Sequence, residues 1–207
     1  NLHGLPEISV YTLLSHIMLT TVTALLLPWL SFLKLERQLT FKSQRDGLTR
    51  LANREHFFNQ LERYWQQHPS VPAVFMMIDI DFFKTVNDTF GHAVGDRAIA
   101  SVARLLSKQL RSNDIIGRIG GEEYAALLID IDESTATVIG QRLCQQVAAQ
   151  LQFIEEKKVE LTISIGLVQI IPAQHGHKIA FKAADEALYA SKQAGRNTVT
   201  LGKINTV

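Results

Sequence analysis

The chain has one cysteine, Cys144, in 207 residues. It therefore makes no intramolecular disulfide, and no second Cys or His stands at metal-ligand spacing from it, so a reducing compartment is expected. It also has little excess charge, with 21 Lys and Arg against 20 Asp and Glu. No overall basic surface is available for a polyanion, and nucleic acid is excluded as a partner on that ground. The length allows one well-cored domain plus an appendage, not two full domains. The most informative absence is local: from Ile8 to Leu33, 26 positions, there is no Asp, Glu, Lys or Arg.

A helix needs about 20 apolar residues to cross a bilayer, so residues 8–33 are expected to span one, with Pro28 near the end. A secretory signal fits worse, because no basic residues precede the run and no small-residue cleavage site follows. Glu7 is the single charge before the run, whereas Lys34, Arg37, Lys42 and Arg45 follow it. The positive-inside rule then places the C-terminal side in the cytosol, with Trp29 as an interfacial anchor. The chain begins with Asn1 rather than Met, so a longer protein with further spans or a sensor upstream is expected.

Residues 34–45 form a charged connector in which Leu35 and Leu39 have helical spacing, too short a pattern to specify a coiled coil. Beyond it, helices and strands alternate. Asn53 caps a helix to about Gln67, and residues 73–80 (AVFMMIDI) are apolar on both faces, as in a covered central strand. A helix is predicted from about Asp96 to Leu110. Strands near 115–119 and 124–129 flank Gly120-Gly121, glycines expected to supply the unusual angles of a hairpin turn. A helix over 134–151, a strand over 161–168, a helix over 177–194 stopped by Gly195 and a strand over 198–201 complete the chain. The hairpin makes the sheet mainly antiparallel, which gives an α+β class.

Asp79 and Asp81 end an oily strand, and Glu122 and Glu123 occupy a turn. Each alone reads as a solvated carboxylate. Together, beside two glycines that let a backbone approach a ligand, they suggest hard oxygen donors for magnesium and metal-dependent phosphoryl or nucleotidyl transfer.

Four motifs then occur in order. Arg118-Ile119-Gly120-Gly121-Glu122-Glu123-Tyr124 resembles the GG[D/E]EF signature of the diguanylate cyclase family, with Tyr124 in place of the usual Phe. Asp46-Gly47-Leu48-Thr49-Arg50-Leu51-Ala52-Asn53-Arg54 resembles its DxLTxLxNR entry motif, and Asp79 to His92 followed by Gly95-Asp96 resembles its DxDxFKxxNDxxGH segment. Ala184-Asp185-Glu186-Ala187-Leu188-Tyr189, with Lys192, Gly195, Arg196 and Asn197, is similar to its closing motif, with Ser191 where Ala is usual.

The resemblance implies a polymerase-palm-like, ferredoxin-related fold for residues 46–203, behind a membrane segment at 1–33 and the connector. It implies that two GTP are condensed to cyclic di-GMP and two pyrophosphates with Mg2+, two ions per site, Mn2+ being an alternative. It also implies a homodimer, since one domain is a half-site, and a place at the bacterial inner membrane with the catalytic domain cytoplasmic. By the same resemblance, Asp79, the Ile80 carbonyl, Glu122 and Glu123 hold the metal. Glu122 is the general base, Lys84 offsets phosphate charge, and Asn87 and Asp96 read guanine. His92 lies at the nucleotide, and Lys192 and Arg196, four apart on one helix, reach phosphates. Arg111-Ser112-Asn113-Asp114, five residues before Gly120, matches the family's inhibitory RxxD motif for bound product, with Arg118 assisting.

Taken singly, Lys192 and Arg196 read as a helix-terminal charge pair, Asp96 as an N-cap and His92 as a surface histidine. Arg54 and Asp46 read as structural, Phe82 and Phe83 as core. A domain that binds GTP or cyclic di-GMP without turnover, or a related palm-type cyclase with another product, are the alternatives. A second domain for cyclic di-GMP hydrolysis has no room.

Overall fold

The structure is a computed structural model that describes residues 10–154 and 156–204; the first two positions of the expected span, Ile8 and Ser9, lie outside them, as does Glu7. Two compact units divide at Ser43/Gln44.

The first unit is built on helix α1, Val10–Gln44, which runs through Pro28 and on through the connector as far as Gln44. The stretch Tyr11–Phe32, 22 residues, is apolar with mean hydropathy 1.7, and among the described residues no other helix is long and apolar enough to cross a membrane. At 1.5 Å per residue this stretch reaches about 33 Å, the thickness of a hydrocarbon core. Several of its hydroxyls bond back along the helix: Ser15, Thr20 and Thr23 donate to carbonyls three or four residues before them.

The second unit contains α2 (Arg54–Gln67), β1 (Ala73–Ile80), α3 (Phe83–Phe90), α4 (His92–Gln109), β2 (Ile115–Arg118), β3 (Glu123–Ile129), α5 (Glu133–Gln150), β4 (Phe153–Ile154), β5 (Lys157–Lys158), β6 (Ile163–Ile170), α6 (His177–Gln193) and β7 (Val199–Leu201). The main sheet has the order β2-β3-β1-β6-β7, antiparallel except for the parallel β6–β7 pair. The expected α+β class with a mainly antiparallel sheet therefore holds.

Strand alternation makes two cores. Val74, Met76, Ile78 and Ile80 of β1 join Ile99, Val102 and Leu106 of α4 and Leu143 and Val147 of α5. Ala73, Phe75 and Met77 join Phe57 and Leu61 of α2 and Ala180, Ala184 and Leu188 of α6. Every residue of β1 is buried, as its two-sided apolar sequence predicts. Gly166 of β6 lies so close to α6 that a Cβ there would overlap the Ala184 carbonyl and the Leu188 backbone.

Local differences have identifiable causes. Asn53 caps α2 as expected, accepting from the His56 N–H at 2.8 Å. Helix α4 starts at His92, not Asp96, because Gly91 at φ 84° breaks the chain between α3 and α4. Asp96 is therefore no N-cap. The short β4–β5 hairpin falls outside the expected elements, because two residues per strand are too few for an alternating pattern to show. Neither Gly120 nor Gly121 sits at positive φ, so the turn does not need glycine for its angles. A Cβ at Gly120 would overlap the Glu123 carboxylate, so any larger residue there would have to displace that side chain.

Candidate active site

The register between β1 and β3 builds the centre of the site. Asp79 is the Cα partner of Glu123, and the Ile80 N–H donates to the Glu122 carbonyl at 3.3 Å. The turn before β3 is closed by the Glu123 carbonyl, which accepts from the N–H groups of Ile119 at 2.9 Å and Gly120 at 3.3 Å. Two pairs of residues far apart in sequence thus meet at one end of the central strand.

Asp79 is 6% exposed, and its Oδ2 receives the Lys192 ammonium of α6 at 2.8 Å. Its carboxyl is nevertheless raised to about 6. Burial is the largest cause; the Lys192 hydrogen bond and charge oppose it, and repulsion from Glu122 and Glu123 adds to it. Desolvation wins over the ion pair because a buried carboxylate loses more hydration than one partly exposed ammonium returns.

The donor set suits a divalent cation. Glu122 and Glu123 make Asp79 costlier to ionise, and a cation, the Lys192 ammonium, is already drawn to Asp79, the most buried of these three. Among the described residues no three His, Cys, Asp or Glu side chains converge tightly enough to hold an ion unaided. A hard ion such as magnesium completes its shell with water and phosphate oxygens, which fits this sparse set.

The remaining candidates fall into three groups. Lys84 and Asn87 lie on α3, His92 and Asp96 in the first turns of α4. Asn87 is folded over Gly95, where a Cβ would overlap its Oδ1, so Gly95 seats this amide beside Asp96. Lys192 stays on α6, but Arg196 does not share its helical face. The helix ends at Gln193, Gly195 has φ 108°, and Arg196 itself is left-handed at φ 63°. Its guanidinium lies 4.3 Å from the centroid of the Phe82 ring, a cation–π contact. Phe82 is 62% exposed and is no core residue; Phe83 is buried as expected.

At the RxxD motif the Asp114 carboxylate serves the backbone, accepting from the Arg111 N–H at 2.8 Å and the Ile129 N–H at 3.2 Å. Arg111 is exposed. Arg118 is engaged elsewhere. It pairs with Asp46 at 3.1 Å and donates from Nε and Nη2 to the Gly121 carbonyl at 3.1 and 2.7 Å. Burial raises the Asp46 carboxyl, but hydrogen bonds from Thr49 and then Arg118 outweigh it and leave it below its ordinary range. Asp46 is thus structural, as is Arg54, which donates to the Ile119 carbonyl at 2.9 Å. Together they brace the Gly-Gly turn from outside, a function of Arg118 that its sequence position beside the signature did not reveal.

Tyr124 keeps the aromatic bulk of the usual Phe. It is fully buried, donates its hydroxyl to the Ile99 carbonyl at 2.8 Å, and burial raises the phenol well above its ordinary range.

Residues 43–198 match the family described as Diguanylate cyclase, GGDEF domain. The Escherichia coli (strain K12) protein named Probable diguanylate cyclase DgcT is 38% identical over 161 residues, which cover 77% of this chain and 36% of that protein. Diguanylate cyclase A of Treponema denticola is 36% identical over 173 residues, covering 81% of this chain and 47% of that one. The chain thus spans less than half the length of these curated relatives. The solved structure of the coiled coil and GGDEF domain of DgcB from Caulobacter crescentus, in complex with c-di-GMP, superposes with a TM-score of 0.79 at 29% identity, covering 90% of this chain and 98% of that one. With its signature turn, its β1–β3 register and these relatives in agreement, the chain belongs to the diguanylate cyclase GGDEF domain family.

Proposed function

We propose that this chain is a diguanylate cyclase, joining two GTP into cyclic di-GMP with release of two pyrophosphates. The observation that carries the proposal is the convergence of Asp79, Ile80, Glu122 and Glu123 at one strand end.

Asp79, the Ile80 carbonyl, Glu122 and Glu123 would hold magnesium, which when bound neutralises the triphosphate and polarises the α-phosphorus. Glu122 takes the proton from a ribose 3′-hydroxyl. The 3′-oxygen then bonds to the α-phosphorus of the second GTP as the bond to pyrophosphate breaks. Lys84, and Lys192 once released from Asp79, offset charge on the phosphate oxygens. Asn87 and Asp96 orient guanine through its ring N–H and amino group, and His92 lies at the nucleotide's edge. Each domain supplies one half-site, so the reaction is run by a homodimer. Product inhibition uses Arg111 with Asp114; Arg118, tied to Asp46 and Gly121, supports the turn instead. Helix α1 anchors the catalytic unit to the inner membrane on its cytoplasmic side.

The test is chromatographic detection of cyclic di-GMP made from GTP and magnesium by the full chain in lipid nanodiscs, with Glu122→Gln in parallel. Product from the wild type alone supports the assignments. GTP binding without product from either would favour a binding module, a reading for which the closed Lys192–Asp79 pair is the supporting observation.

A further inference from the structure

The second carboxylate at the strand end, Asp81, is 3% exposed and is occupied by the protein itself. Its Oδ2 accepts from the Thr162 hydroxyl at 2.7 Å and from the Asn197 N–H at 3.1 Å, and its Oδ1 accepts from the Ser164 hydroxyl at 2.7 Å. Its own N–H donates to the Thr162 carbonyl at 2.9 Å. One side chain therefore ties the end of β1 to β6 and to the turn that follows α6.

That turn carries an unusual backbone. Arg196 and Asn197 have φ 63° and 47°, and Phe82, on the other side of the same junction, has φ 54°. L-residues rarely hold the left-handed region unless their surroundings fix them there. Phe82 follows Asp81 in the chain, and Arg196 precedes Asn197, the residue whose N–H Asp81 receives. The two partners of the Arg196–Phe82 contact are thus each one residue from an attachment point of the same carboxylate. The Arg196 N–H donates to the Ser191 carbonyl at 3.1 Å, which closes the turn from the helix side.

We infer that Asp81 is a positioning residue: it acts through hydrogen bonds, not through charge or metal ligation, to fix the Gly195–Asn197 turn and hold Arg196 over Phe82 at the phosphate end of the site. The inference rests on the cyclase reading for the role of Arg196. It separates the two aspartates of one motif chemically. Asp79 faces a cation and two carboxylates, whereas Asp81 faces three neutral donors.

Hydrogen bonding and charge make opposite predictions for the Asp81→Asn variant. Turned with its carbonyl toward Thr162 and Asn197, the introduced amide would accept from both, and its NH2 group would donate to a rotated Ser164 hydroxyl. The experiment measures the Kd of the α,β-methylene analogue of GTP with magnesium, and of manganese alone, on the full chain in nanodiscs. The proteins are wild type, Asp81→Ala, Asp81→Asn, Arg196→Ala and the double variant Asp81→Ala/Arg196→Ala.

Analogue binding is expected to weaken about tenfold in Asp81→Ala and in Arg196→Ala, and to weaken no more than about threefold further in the double variant, because coupled residues are not additive. Asp81→Asn is expected to bind within about threefold of wild type, and manganese binding is unchanged in every Asp81 variant. Additive losses, a failure of Asp81→Asn to rescue, or lost manganese binding would overturn the inference. If Asp81→Ala does not fold, Asp81→Asn still decides, and Thr162→Val, which removes one donor from Oδ2, replaces it in the cycle with Arg196→Ala. If wild type does not bind the analogue, the cyclase reading falls and takes this inference with it; if it binds and the losses add, this inference alone falls.

Discussion

Replacing Asp79 by Asn is expected to stabilise the metal-free fold while abolishing turnover. The carboxyl is raised from 3.8 to about 6, and two pKa units correspond to roughly 3 kcal/mol of preference for the protonated form. The native state therefore binds this proton more tightly than the unfolded chain does. The stability contributed by this group is complete below the unfolded value of 3.8 and is lost as pH rises through the folded value of about 6. Asparagine has the shape of the protonated acid and does not titrate. At pH 7.5 the variant should gain about 1–3 kcal/mol, the lower part of the range allowing for the lost Lys192 contact, whose ammonium is partly exposed and regains water.

The assay is urea unfolding of the chain in nanodiscs with chelator present. It is followed by Trp65, whose Nε1–H donates to the His175 carbonyl at 2.7 Å, in a background where Trp29 is replaced by Phe. The quantity that isolates Asp79 is variant minus wild type, since Asp46 and Glu160, both lowered, shift stability the other way. That difference should be near zero at pH 4 and reach its full value above pH 6. Magnesium with the GTP analogue should reverse the order by stabilising only the wild type. A variant less stable at pH 7.5, or a difference flat between pH 4 and 7, would refute the reasoning.

Three further outcomes are expected. Gly120→Ala should displace the Glu123 carboxylate and lower manganese affinity about tenfold by calorimetry, while its unfolding midpoint stays near wild type. Gly166→Ala forces a Cβ into the backbone of α6 and should cost about 3 kcal/mol or more in urea unfolding, with the strand and helix forced apart. Tyr124→Phe restores the residue usual in the signature and loses one buried hydrogen bond to Ile99; it should cost about 1 kcal/mol and leave cyclic di-GMP synthesis within about twofold.

Much of this protein is legible from order and periodicity. The uncharged run at the N-terminus predicts α1, and the doubly apolar AVFMMIDI segment predicts a covered central strand, because hydrophobic patterning is a local record of what each face touches. The four motifs place Asp79, Glu122 and Glu123 in one family site, and Asp79, Asp81, Glu122 and Glu123 beside a Gly-Gly pair suggest metal chemistry before any coordinates. Patterning does not reach contacts between distant segments. That Lys192 would close on Asp79, or that Arg118 would pair with Asp46 and the Gly121 carbonyl, depends on which side chains meet after α6 and the hairpin pack. That Arg196 leaves its helix follows from Gly195 and a left-handed turn held by Asp81, a bond across 116 positions. Near-neighbour chemistry, which is all that a linear order of residues records, is enough to specify most of the elements and the central strand, and the motifs name the candidate site groups. The partner of each charge, with Lys192 on Asp79 and neutral donors on Asp81, comes from the folded arrangement alone, because desolvation and packing between segments far apart in the chain make those choices.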